Sequence, residues 1–373
     1  MRILSIIYKH KYGGFHMRMY LLFRHLLESG DYIHVLCAER LPISHPRLVQ
    51  HVTRSPLSDK EGLIFWLHFI FISIFQAFYI SKKYKTEKIV TFGPFYTLLC
   101  VFPIIIHGAY SITFIRSDNM KHSNRLVRNG FFFFADWLGI MLSSRLVFVS
   151  NTLRDIYAKR YKFPGHKHVV VPNDIRMLFV QSRSERAQVR TSLGIDDNDF
   201  VIATAGVFNA GKNFSFLIQT IKDLAIERIK LLIIGDEVVQ NGESQRLKRI
   251  ANDLGIDSRI IFAGWKDDPR PFICSSDLFV FSSRYEGSPN ALLEALGCGV
   301  PCLGSDIKEI KEILLHNELM FPLEERSVLI DKLLRLSRDP LYYNHVYTLS
   351  KERCKHFCFD WGHRMYSVIH SKS

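Results

Sequence analysis

Short apolar runs and longer helical stretches alternate along most of the chain. In the first half, residues 3–8 read as a buried strand, Gly13 and Gly14 as a turn, 17–27 as a helical run closed by Gly30, and 32–37 as a second strand. This is a βαβ pattern, and strand-like runs at 88–92 and 111–115 extend it. In the second half, runs at 200–205, 231–234, 260–262, 277–281 and 300–303 have the same character, with helical segments between them. Strands separated by helices predict parallel sheets and an α/β class. Residues 354–369 read as a terminal helix.

One segment departs from this rhythm. Residues 62–80, GLIFWLHFIFISIFQAFYI, are apolar almost all round and are followed by Lys82, Lys83, Lys85 and Lys88. The length suits a transmembrane helix. However, the strands before and after it are expected to share one sheet, and a spanning helix would put them on opposite sides of the bilayer. His68, Ser73 and Gln76 also interrupt it. A buried core helix and a helix partly inserted in a membrane surface both stay open. The run 131–134, near Arg125 and Arg128, suits the same hydrophobic and basic face or the core.

With 373 residues and 47% hydrophobic content, the chain can bury two cores, so two domains are expected. Seven cysteines without a C-x2-C pair fit a reduced, cytoplasmic protein rather than a zinc or redox site. The apolar run before Lys9, His10 and Lys11 is too brief for a signal-peptide core. The net charge of +13 is unevenly distributed: residues 1–168 carry 23 Lys+Arg against 9 Asp+Glu, net +14, while the rest is net −1. Neither a helix-turn-helix, a zinc finger nor an RNP pattern accompanies the basic half, which argues against nucleic acid. An anionic membrane surface or a lipid-linked acceptor fits it better.

The chemistry concentrates in 281–306, FSSRYEGSPNALLEALGCGVPCLGSD, where Glu286 and Glu294 stand eight residues apart around a helix start. Ser288 is a good N-cap and Pro289 a good first helical residue. Free N–H groups on Asn290 and Ala291, with the helix dipole, would make an anion site suited to a diphosphate. The carboxylates would then accept hydrogen bonds from hydroxyls on either side of it. A preceding strand places this motif at the end of the sheet where ligands bind open α/β folds.

These residues resemble the signature of family 4 glycosyltransferases, retaining enzymes with the two-domain GT-B fold. The resemblance implies two Rossmann-like doubly wound domains facing a cleft: 1–168 for the acceptor and 169–350 for a nucleotide-sugar donor. Residues 351–373 would return to the first domain. Glu286 would contact donor-sugar hydroxyls and Glu294 the ribose. In GVFNAGKNF, the G-x5-K turn from Gly206 through Gly211 would bring Lys212 to the diphosphate. Lys212 and Glu286 are therefore the catalytic candidates. Gly264, Trp265, Gly287, Ser288, Pro289, Asn290 and Ala291 join Glu294 as donor contacts, with Trp265 near the nucleobase. Gly13, Gly14, His16, Arg116 and Asp118 are the cleft candidates; Arg116 or Ser117 stands where many relatives carry His. Pro172 and Asn173 match the interdomain entry, although Arg176 replaces its usual Asp.

The expected activity is retaining transfer of a sugar, from a UDP-sugar by preference, to a glycan or lipid-linked acceptor in surface-polysaccharide synthesis. No metal is expected, since D-x-D at Asp197 and Asp199 lies in a polar turn. The expected place of work is the cytoplasm, peripheral to the inner face of the plasma membrane. The alternatives are a UDP-sugar epimerase of the same shape or a non-catalytic scaffold in a polysaccharide-assembly complex.

Overall fold

The alternating pattern folds into two parallel sheets, each flanked by the helices that connect its strands. The computed structural model describes residues 1–8, 14–53, 63–118, 126–175, 178–224, 226–237 and 242–371. Gly13, Gly62, Arg125 and Arg176 lie outside the described residues. The chain divides into one unit of Met1–Pro172 with Trp361–Ser373, and another of Asn173–Asp360.

The first unit runs β1 (Arg2–Ile7), α1 (Gly14–Glu28), β2 (Tyr32–Cys37), β3 (Leu48–Val52), α2 (Leu63–Tyr84), β4 (Lys88–Thr91), α3 (Pro94–Leu98), α4 (Val101–His107), β5 (Tyr110–Ile115), α5 (Leu126–Leu142), β6 (Arg145–Phe148), α6 (Asn151–Tyr161) and β7 (His168–Val170). Its strand order is β3-β2-β1-β4-β5-β6-β7. The central strands are apolar on both faces, as a doubly covered parallel sheet requires: Ile3, Leu4, Ile6, Ile33, Val35 and Leu36 are fully buried.

The second unit runs α7 (Arg183–Ser192), β8 (Phe200–Ala205), α8 (Phe214–Leu224), β9 (Ile229–Ile234), α9 (Glu243–Asp253), β10 (Ile260–Gly264), α10 (Arg270–Cys274), β11 (Leu278–Phe281), α11 (Asn290–Gly297), β12 (Cys302–Ser305), α12 (Lys308–Leu314), β13 (Met320–Phe321), α13 (Arg326–Arg338) and α14 (Pro340–Phe357). Its strand order is β10-β9-β8-β11-β12-β13. The sequence leaves β8 in one direction toward β10, then resumes at β11 on β8's other side. The strand order thus reverses between β8 and β11, and such switch points are where open α/β sheets bind ligands.

The boundary between the units falls at 172 rather than 168. β7 pairs with β6 (Leu146↔His168, Phe148↔Val170), so residues 168–170 complete the first sheet. The expected terminal helix over 354–369 is two helices. α14 belongs to the second unit, where the Cys302 N–H donates to Ser350 Oγ (3.0 Å) and Arg353 Nε to the Ile313 carbonyl (2.6 Å). After a break at Cys358, α15 (Trp361–His370) joins the first unit. There Tyr366 meets His25 edge-on at 5.8 Å, and His370 Nε2 lies 3.1 Å from Asp31. The seven cysteines are free thiols.

Candidate active site

Three glycines end three neighbouring strands of the second unit with positive φ: Gly206 after β8 (+153°), Gly235 after β9 (+136°) and Gly264 in β10 (+72°). The Gly206 N–H donates to the Ile234 carbonyl and the Gly235 N–H to the Gly264 carbonyl, each at 3.0 Å. At Gly235 a side chain is excluded, because a Cβ would lie 2.0 Å from the Gly206 carbonyl oxygen. The missing side chains bring the backbone of three loops together along one edge of the sheet.

The loop after β8 is folded by Asn209, whose Oδ1 accepts the N–H groups of Gly211 (2.9 Å) and Lys212 (3.2 Å). The loop after β11 is stitched to it. The Arg284 N–H donates to the Gly211 carbonyl (2.8 Å), and Ser282 Oγ donates to the Lys212 carbonyl (3.1 Å). Tyr285 lies against Gly211, where a Cβ would meet its ring at 2.6 Å. Lys212 is thereby held at the switch point. Its ammonium donates to Glu286 Oε1 at 2.6 Å and stands 4.7 Å from the centre of the Phe281 ring. The two side chains are 19% and 10% exposed, so the pair is reachable but partly desolvated. A cation and a carboxylate 74 residues apart in sequence are thus joined on adjacent loops.

The start of α11 differs from the expectation. The helix begins at Asn290, with Pro289 as the residue before its first turn, and Ser288 makes no cap. Instead, Asn173 Nδ2 donates to Ser288 Oγ (2.8 Å) and to Asn290 Oδ1 (2.7 Å). The segment entering the second unit thus claims the serine hydroxyl. The Asn290 N–H donates to the Ser288 carbonyl (2.9 Å). Of the two N–H groups expected to face an anion, the one on Asn290 is thereby taken up within the turn. Half-buried Glu294 sits on the fifth residue of α11, and Gly287 lies on the loop between Glu286 and the helix. Arg270 is held above its ordinary pKa first by its hydrogen bonds to Asp268, with smaller contributions from Cys298 and Glu294. Trp265 stands exposed after Gly264, its Nε1 donating to Asp267 Oδ1 (3.2 Å).

The described first-unit candidates lie at the start of α1 and just after β5. Gly14 is the first residue of α1, and His16 is buried on that helix with its ring 6.4 Å from that of Tyr20. Arg116 follows β5; burial, with Arg18 nearby, lowers its pKa to about 9. Asp118 is engaged within the first unit. It is buried and accepts two hydrogen bonds from Arg160, at 2.7 and 2.8 Å, which raise the arginine's pKa. The Asp197–Asp199 turn is closed from within, the Asp196 N–H donating to Asp199 Oδ2 (3.1 Å). Sequence reasoning missed Asn209, Tyr285 and Arg270. An Asn two residues before a glycine was the available signal for the first, as such side chains fold turns; the other two had none.

Residues 199–339 match the family described as glycosyl transferases group 1. The chain is 24% identical over 285 residues, 72% of its own length and 70% of the relative's, to the UDP-Gal:alpha-D-GlcNAc-diphosphoundecaprenol alpha-1,3-galactosyltransferase of Escherichia coli. It is 36% identical over 105 residues, 28% of this chain and 29% of the relative, to the lipopolysaccharide core biosynthesis glycosyltransferase LpsE of Rhizobium meliloti. Among solved structures, Anabaena Alr3699/HepE in complex with UDP and glucose superposes with a TM-score of 0.81 at 16% identity, covering 100% of both chains. The fold is therefore GT-B, and within it residues 199–339 resemble a group 1 glycosyltransferase domain.

Proposed function

We propose that this chain is a group 1 glycosyltransferase that moves a sugar, with retention, from a UDP-sugar to a glycan or lipid-linked acceptor in the synthesis of a bacterial surface polysaccharide. The observation that carries the reading is the Lys212–Glu286 pair at the β8/β11 switch point. In this reading the donor diphosphate lies against the Lys212 ammonium and the first turn of α11. Both supply positive charge where the leaving group becomes more negative, so they favour the transition state over the ground state. Glu286, relieved of its lysine, accepts hydrogen bonds from sugar hydroxyls, and Glu294 does the same for ribose. The relatives' names support the substrate classes: one uses UDP-Gal and a diphosphoundecaprenol acceptor, another builds lipopolysaccharide core.

The test is thermal stabilisation by UDP, GDP, ADP and CMP, in wild type and Glu294→Ala. A ligand at 100 times its Kd stabilises by about 2.7 kcal/mol. UDP alone is expected to raise the midpoint, and Glu294→Ala to lose the shift. A response to none of the nucleotides rejects the donor site. The reading also needs no metal, because Lys212 and the helix provide the positive charge. Turnover is then expected to survive EDTA, and its abolition with rescue by added Mg²⁺ or Mn²⁺ would overturn that point.

A further inference from the structure

Helix α2 poses a problem that the fold itself leaves unsolved. A helix apolar on all sides is expected to be covered on all sides, yet α2 is covered on one. Its inner row, Phe65, Phe69, Ser73, Ala77 and Ile80, is buried in the core of the first sheet, alongside Leu4 and Ile6. Its outer row, Leu67, Phe71, Phe75 and Tyr79, recurs every four residues, and each member is more than half exposed. Twelve residues of helix make that row roughly 18 Å long.

The interrupting polar residues are not on this row. Ser73 is buried, and Gln76 accepts a hydrogen bond from Thr53 (3.1 Å). The next outward position is Lys83, whose ammonium lies 5.6 Å from the Tyr79 ring centre, with Lys82 and Lys85 exposed beside it. Helix α4 widens the surface. Phe102 packs 6.4 Å from Phe75 and 6.1 Å from Phe78, and Ile105 and Ile106 are more than half exposed. Across 63–110 the chain has four lysines against one acid, Glu87. α2 is long and apolar enough to span a bilayer, but β3 before it and β4 after it are strands of one sheet, and its inner row packs on that sheet.

We infer that the α2–α4 face is a docking surface for an anionic lipid bilayer, lying in the plane of the interface with Leu67, Phe71, Phe75, Ile105 and Ile106 among the acyl chains and Lys82, Lys83 and Lys85 at the headgroups. Charge complementarity selects this occupant. An apolar row that runs into lysines, in a half-chain of net +14, fits an anionic membrane. The inference does not depend on the donor-site reading, although a lipid-linked acceptor would be presented at such a surface.

The experiment is co-sedimentation of the full chain with vesicles of phosphatidylcholine containing 30% phosphatidylglycerol (about a third anionic, enough for a surface potential) and with phosphatidylcholine alone. Wild type is expected to bind the anionic vesicles at least tenfold more tightly, and less so in high salt. Phe71→Ser with Phe75→Ser, and separately Lys82→Glu with Lys83→Glu, are each expected to weaken binding at least tenfold. Their melting midpoints and responses to UDP should remain those of wild type, since the substituted side chains are exposed and belong to the other unit. A wild type that ignores both vesicles, or variants that bind as it does, overturns the inference. A dimer that forms in solution and is lost in the Phe71→Ser/Phe75→Ser variant also overturns it, assigning the face to a second copy. UDP stabilisation reads the donor site independently in every case.

Discussion

The Lys212→Met, Glu286→Gln and double variants take the ion pair apart one charge at a time. Breaking a fully buried pair costs about 3–5 kcal/mol and a fully exposed one about 0–1. At 19% and 10% exposure this pair lies between them, so each single variant is expected to lose about 1–2 kcal/mol of stability. For a unit of this size that is a fall of about 3–6 °C in melting midpoint. The double variant leaves no unpaired charge and should lose less than the sum of the two. Turnover should behave differently. If Lys212 stabilises departing diphosphate, losing it removes about 3–4 kcal/mol from the transition state, a fall of about 10²–10³ in kcat. Glu286→Gln restores nothing, and the double variant stays as slow as Lys212→Met. The assay is release of nucleoside diphosphate from a UDP-sugar, beside a melting curve for each variant. A Lys212→Met enzyme within tenfold of wild type, or activity that recovers in the double variant along with its stability, would refute the chemical role and leave a structural salt bridge.

Gly235→Ala should cost about 3–5 kcal/mol, strain at φ +136° adding to a clash with the Gly206 carbonyl, whereas Gly255→Ala, at φ +65° in open space, should cost about 1; equal melting midpoints would dismiss the close-approach argument. Asp118→Asn should lower the midpoint by about 4–8 °C by stranding Arg160, and leave the UDP response intact. Loss of nucleotide binding in that variant would place Asp118 at the donor site. His34 is pushed down to about 4, first by burial and then by His51, to which it is hydrogen-bonded at 3.1 Å. Its neutral form is the folded one, so the contribution is complete above about pH 6.5 and lost as pH falls toward 4, about 3 kcal/mol in all. His34→Gln should flatten the fall in melting midpoint between pH 7 and 4.5; an unchanged slope contradicts the assignment.

The local pattern of residues determined most elements of this protein. β2 and β8 occupy 32–37 and 200–205, as alternating apolar runs predict, because strand and helix periodicities are properties of adjacent residues. The motif from Glu286 to Glu294 and the turn at Lys212 were legible for the same reason: each is a few consecutive residues whose backbone demands are local. Only the tertiary structure decided what those residues touch. Lys212 and Glu286 meet because strand order sets β8 beside β11. Ser288, a sound N-cap by sequence, bonds Asn173 instead, a partner 115 residues away. Asp118 went to Arg160, and Ser73 and Gln76 turned toward the protein while Phe71 and Phe75 turned out. Propensity and spacing act over a turn of helix or a pair of strands. The choice of partner across 42 to 115 residues depends on chain topology and on which side chains the folded sheet leaves room to bury.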